Sequence, residues 1–233
     1  MFSFCSYLRL WVRYWADVRA KSSLNASAAA SPKRWLQGDC NIPQDIDKMK
    51  IYLTDQTKYF KKHLENLKLQ NIIKYNKTEL KEKSTFININ TGKDLKQLDT
   101  NFFWNYKIFP KYIMSFITEW SEQKRQMQIG DTIVQQAFIP PIRHFSQKII
   151  FGVRINDIID EENRIGFSYE TLNGHVEMGE STFTIEKTND NKTIFKIHTF
   201  SKPGNLLTKL VGPIFSVPYQ TFCTKRGLEN VKK

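Results

Sequence analysis

Cysteine is scarce in this chain. Only Cys5, Cys40 and Cys223 are present, and no two of them form a C-x-x-C pair. An odd number at such wide spacing excludes a disulfide framework and a zinc ribbon, and it fits a reducing compartment. The sequence also lacks G-x-S-x-G, H-E-x-x-H, a P-loop and G-x-G-x-x-G, so none of the common hydrolase, metalloprotease or nucleotide-binding signatures is available. Helix-turn-helix, zinc-finger and RNP patterns are missing as well, and no specific nucleic-acid partner is expected. No internal repeat is evident, and no stretch is apolar for long enough to form a transmembrane helix.

What the sequence has in quantity is aromatic side chains and positive charge. Phenylalanine occurs 17 times and tyrosine 9 times among 233 residues, which favours a β-rich core. The formal net charge is +12. It is unevenly spread: residues 151–200 carry five basic and nine acidic side chains, whereas 201–233 carry six basic and one acidic. The basic excess suits solubility or an anionic surface such as a membrane.

Residues 1–49 read as a leader and linker. Arg9, Arg13, Arg19 and Lys21 face a single acid, Asp17, while Phe4, Leu8, Trp11, Trp15 and Val18 recur at helical spacing ahead of a Ser/Ala stretch. That composition is expected of an organellar, for instance mitochondrial, targeting segment; without one the location would be the cytoplasm. An interfacial helix lying on a membrane is the competing reading. Pro32, Gly38 and Pro43 mark the linker, and one α+β domain is expected over 50–233.

Within that domain, Phe60, Leu64 and Leu67 make the apolar stripe of a first helix, with His63 among the lysines of the solvent face. Residues 84–89 alternate as a strand. The aromatic stretch 101–120 reads as helical on both sides of Pro110. Strands follow at 128–138, 147–159, 164–172, 175–187 and 193–201. The C-terminal apolar spacing, interrupted by Pro213 and Pro218, predicts a kinked helix. The expected architecture is a curved antiparallel sheet packed around this last helix, a helix-grip-like arrangement that can enclose an apolar cavity.

The stretch Gly166–Phe183, "GFSYETLNGHVEMGESTF", concentrates one histidine and three glutamates. Asn173-Gly174 between alternating segments is a strong two-residue hairpin signal. That turn would set Glu170 opposite Glu177 and Tyr169 opposite Met178, leaving Glu170, His175 and Glu177 on the outer face. Phe183 and Ile185 are then out of phase with Val176 and Met178, which predicts a β-bulge at Gly179-Glu180. His175 with Glu177 could serve metal binding or acid–base chemistry. A polar hairpin face explains them more simply.

The same block, with "IGDTIVQQ" upstream and "FSKPGNLLTKLVGPIFSVPYQ" downstream, resembles the uncharacterised domain-of-unknown-function nineteen-ninety family, whose members read approximately G-F-x-Y-G-T-L-x-G-H-P-E-x-G-E-E-x-F. Glu170 stands where the family usually has Gly, Asn173 and Val176 stand where Pro is common, and Ser181 replaces a second Glu. His175, Glu177, Gly179 and Glu180 are retained. The resemblance implies a shape similar to small-ligand-binding helix-grip folds. From the aromatic-rich core, the kinked final helix and the absence of any catalytic motif, a non-enzymatic module is expected, holding a small hydrophobic ligand through Tyr169, Thr171, His175, Glu177, Glu180, Pro213 and Gln220. No cofactor or metal is expected. A membrane-associated or pore-like organellar protein, and an enzyme centred on His175, Glu177 and Glu180, are the alternatives.

Overall fold

Alternation of apolar and polar residues with β-branched and aromatic enrichment drives eight segments of this chain into strands. The computed structural model describes residues 50–89, 95–139, 146–204 and 216–231. In chain order these form β1 (Lys50–Tyr52), α1 (Phe60–Lys68), β2 (Lys81–Ile89), α2 (Asn101–Trp104), β3 (Met114–Thr118), α3 (Glu119–Glu122), β4 (Thr132–Ile139), β5 (Gln147–Glu161), β6 (Arg164–Thr171), β7 (Glu177–Lys187), β8 (Thr193–Pro203) and α4 (Ser216–Val231). The fold is α+β: an open eight-stranded antiparallel sheet in the order β2-β8-β7-β6-β5-β4-β3, with β1 added beside β5.

The long strand β5 organises the sheet. One of its edges pairs with β4, Gln147 to Arg154 opposite Ile139 to Thr132. Its other edge pairs with β6 from Val153 onward and with β1 at 148–150. A register shift between Ile155 and Asp157 places a bulge at Asn156, which re-aims the following residues and raises the local twist.

The two faces bury different partners. On the inner face Phe103, Tyr106 and Ile108, each 0% exposed, pack on Phe167, Phe183 and Phe195 together with Leu228 of α4. The Phe167 and Phe183 rings stack at 5.3 Å, and Phe103 sits 5.0 Å from Phe167. The aromatic segment around Phe103 and Tyr106 therefore fills this part of the face. On the outer face Phe60, Leu64 and Leu67 of α1 pack on Val134, Ile150 and Leu172. The absence of a side chain at Gly152 permits that approach, since a Cβ there would lie 3.0 Å from Leu67 Cδ2 and 2.9 Å from Leu172 Cδ1.

Three sequence readings change. The segment after Pro110 is not helical: α2 is a single turn, and Met114–Thr118 forms an edge strand on β4. Pairing with Val134 and its neighbours decides this, and Phe116, Ile117 and Thr118 suit a strand better than a helix. His63 is 8% exposed rather than solvated, because it lies three residues after Phe60 and four before Leu67 and so shares their face. The β6–β7 register is also displaced. Phe167 pairs with Phe183, Tyr169 with Ser181 and Glu170 with Glu180, an offset of three from the tight-turn register. An odd offset exchanges the faces of β7. It brings Phe183 and Ile185 into phase with Phe167 and Ile165, so the β7 ladders run without a bulge at Gly179.

Gly179 is still required, for another reason. Its φ is +145°, and a Cβ would lie 1.9 Å from the Phe200 carbonyl oxygen. Gly179→Ala is expected to lower stability by about 2–3 kcal/mol. Urea denaturation with an unchanged midpoint would contradict this.

α4 is held at its C-terminal half. Leu228 enters the core, Gly227 lies against Phe109, and Asn230 Nδ2 donates to the carbonyls of Lys107 and Ile108 at 3.3 and 3.1 Å. Pro218 falls in its first turn, where no intrahelical N–H is needed, and so is tolerated without a break. The expected kink at Pro213 lies outside the described residues.

Candidate functional site in the polar half of the inner face

The strand register sorts the inner face into rows that cross β6, β7, β8 and β2. One row reads Phe167, Phe183, Ile197 and Thr85. The next reads Tyr169, Ser181, Thr199 and Lys83, and the one after it Thr171, Gly179, Ser201 and Lys81. The face therefore changes from apolar to polar within one step of two residues. Ser181, Thr199 and Lys83 keep the phase of Phe183, Ile197 and Ile87, so they are polar residues in core-facing positions. That pattern was available in the sequence, but it is readable only once the register is known.

The polar row continues a chain of hydrogen bonds from the interior. Gln135, 1% exposed, donates through Nε2 to the Tyr106 oxygen at 2.6 Å. Tyr106, Gln135 and Ser181 neighbour the phenol of Tyr169, and the Ser181 and Thr199 hydroxyls lie 3.1 Å apart. Lys83 closes the row by donating through Nζ to Thr221 Oγ1 of α4 at 2.9 Å. Burial pushes the ionisation of both tyrosines upward, so each remains a neutral donor.

Glu177 sits on this same face, near Tyr169 and Lys83. The sequence reading put it on the outer face; the three-residue offset moves it inward. Its half-buried carboxyl is pushed up to about 7 by loss of solvent, partly countered by the Ser201 hydroxyl and by Lys83. That places it near neutrality, where an acid–base group is poised.

The other expected residues divide. Thr171 serves the backbone: its Oγ1 accepts the Gly179 N–H at 3.0 Å and donates to the Gly179 carbonyl at 3.3 Å, closing the β6–β7 connection. His175 lies within that connection, its ring 4.3 Å from the Phe151 ring. His175 Nδ1 lies 3.0 Å from the Glu177 backbone nitrogen and 2.9 Å from its carbonyl oxygen, so the ring is tied to the Glu177 main chain. Burial holds His175 down to about 4. It borders an open cleft of about 410 Å³, together with Asn71, Lys74, Asn173, Gly174 and Gly204.

Glu180 is on the opposite face. It stands across from Glu170, a like-charge pair that would be unfavourable alone. Lys77 Nζ lies 3.3 Å from Glu180 Oε2 and 4.5 Å over the Phe200 ring, while Tyr75 donates to Glu170 Oε1 at 2.6 Å. The expected Glu170–His175–Glu177 cluster is thus split between the two faces. Among the described residues no group of three or more His, Cys, Asp or Glu side chains is placed to hold a metal. Pro213 and the side chain of Gln220 lie outside the described residues.

The family model titled domain of unknown function, DUF1990, matches residues 103–229. This chain belongs to that family. The DUF1990 span begins at the buried Phe103 and ends in α4, so it covers the inner-face aromatics, Gln135, Tyr169, Glu177 and the row through Thr199. Lys83, α1 and the strap carrying Tyr75 and Lys77 precede it. No curated protein matches the chain. Among solved structures, the crystal structure of a hypothetical protein from Helicobacter pylori is similar at 11% identity and a TM-score of 0.44, over 68% of this chain and 93% of that one. Among the described residues no helix is long and apolar enough to cross a membrane.

Proposed function

We propose that this DUF1990 domain is a non-enzymatic module that binds a small amphipathic ligand between the polar half of the sheet's inner face and α4. The observation that carries the reading is the row Tyr169, Ser181, Thr199 and Lys83 set beside an aromatic core. Polar side chains in core-facing positions cost free energy unless they are paired. Here Tyr169 is buried, Ser181 and Thr199 are half-buried with their hydroxyls 3.1 Å apart, and Lys83 at the exposed end donates to Thr221 of α4, with Glu177 alongside. Because Phe103, Tyr106 and Ile108 already fill the apolar half, the ligand is expected to carry a polar group to this row and to rest its apolar part on the rim of the aromatics.

Native mass spectrometry of the purified full chain tests this. A co-purifying mass that dissociates on activation, and that is diminished in Tyr169→Phe and Lys83→Met, is the expected result. If no small molecule co-purifies and solvatochromic hydrophobic dyes fail to bind, the reading loses its support.

A further inference from the structure

A second polar locus lies behind the Asn173–Gly174 turn, away from the inner-face row. His63 and Gln70 are 8% and 9% exposed, yet His63 Nε2 and Gln70 Oε1 have no hydrogen-bond partner among the described residues. Buried polar atoms are nearly always satisfied, and each orphan costs on the order of 1–3 kcal/mol. Both side chains line the same small cavity of about 10 Å³, with Asn66, Leu67, Ile150 and Phe151 among its walls. That volume is roughly the minimum that admits a single water.

We infer that this cavity holds one ordered water molecule hydrogen-bonded to both His63 Nε2 and Gln70 Oε1. The chemistry of the walls selects the occupant. Gln70 Oε1 only accepts, so the guest must donate to it. His63, between Lys50 and Lys62 and out of solvent, is held neutral down to about 4, so its Nε2 either donates or accepts. An anion would face the Gln70 carbonyl oxygen. A cation would face Lys50, which also lines the cavity. A neutral molecule that both donates and accepts satisfies the site, and the volume leaves room for nothing larger than water. The water ties α1, which carries His63, to the chain just beyond it at Gln70. Arg154 reinforces this junction from β5 by donating to the carbonyls of Leu67, Lys68 and Gln70 at 3.2, 2.9 and 3.0 Å.

A crystal structure of the full chain at a resolution that shows ordered solvent is the direct test. One solvent peak within about 2.7–3.2 Å of both atoms is expected. An empty cavity overturns the inference, and so does a direct contact between the two side chains that closes it. A denaturation cycle adds an independent readout. His63→Phe and Gln70→Leu are each expected to lower Tm by several degrees, because each strands the remaining polar atom. The double variant should lose clearly less than the sum, since both partners and the water leave together. Strictly additive losses contradict a shared water. If the double variant does not fold, the solvent peak of the wild type decides alone.

Discussion

Tyr106→Ala is expected to lower the free energy of unfolding by about 4 kcal/mol, enough to leave a marginal domain largely unfolded at elevated temperature. Tyr106 is 0% exposed and its ring lies within 5.2–6.4 Å of Phe116, Phe167, Tyr169 and Phe183. Removing it deletes ring contacts on both layers of the inner core and opens a void that the stiff sheet cannot close. Its φ of +56° is an uncommon backbone state for a tyrosine, held in place by that packing. Tyr106→Phe separates the two contributions. It keeps the ring but leaves Gln135 Nε2 without its acceptor, and should cost about 1–3 kcal/mol. Urea titrations of both variants check this. A Phe variant as stable as the wild type would show that the Gln135–Tyr106 bond adds no stability.

Stability is expected to peak at about pH 7 and to fall steeply in acid. His63 and His175 have folded values depressed to about 4, from an ordinary 6.5, chiefly by burial. A depressed histidine contributes stability that is complete above 6.5 and is lost as pH falls towards 4, because the unfolded chain binds the proton first. Each contributes about 2 kcal/mol, after a discount for the partial exposure of His175. Glu177 acts in the opposite direction. Its folded value is raised from 4.5 to about 7 by burial, so its contribution is complete below 4.5 and is lost as pH rises through 7. Down to about pH 5 the two histidines outweigh the one carboxyl. Glu177→Gln should therefore raise stability at pH 8 by about 2 kcal/mol and leave it unchanged at pH 4. Thermal denaturation between pH 4 and 8 reads both effects. A profile flat over that range, or an equal gain in the Gln variant at both ends, would contradict the assignment.

The architecture was legible in the sequence where its cause is local. The alternation in β5, β6, β7 and β8 needs no partner to be recognised, and each strand was placed to within a few residues. The stripe Phe60, Leu64 and Leu67 specified α1 and its buried face. Gly179 could be singled out as a position of unusual backbone, though as a bulge that the ladders do not form. The aromatic wealth of 101–109 announced a core segment. The resemblance carried by Gly166–Phe183 holds at the level of the family.

Other features were decided by contacts between distant parts of the chain. Period-two alternation says which residues share a face within one strand, but register says which face they share with the next strand. Burying Phe183 and Ile185 beside Phe167 and Ile165 outweighs the tight Asn173–Gly174 turn. That single choice carries Glu177 inward, leaves Glu180 outside with Lys77, and gives Thr171 the task of closing the connection. Met114–Thr118 becomes a strand only because β4 offers an edge. His63 is buried only because the sheet covers the face it shares with Phe60 and Leu67. By itself the sequence determined β2 and β4 to β8, the first helix and the positions where a glycine or an apolar residue is obligatory, since each follows from neighbours a few residues away. Tertiary structure alone decided which polar residues meet. The row from Tyr169 to Lys83 draws on four strands, and no local pattern encodes the register that aligns them.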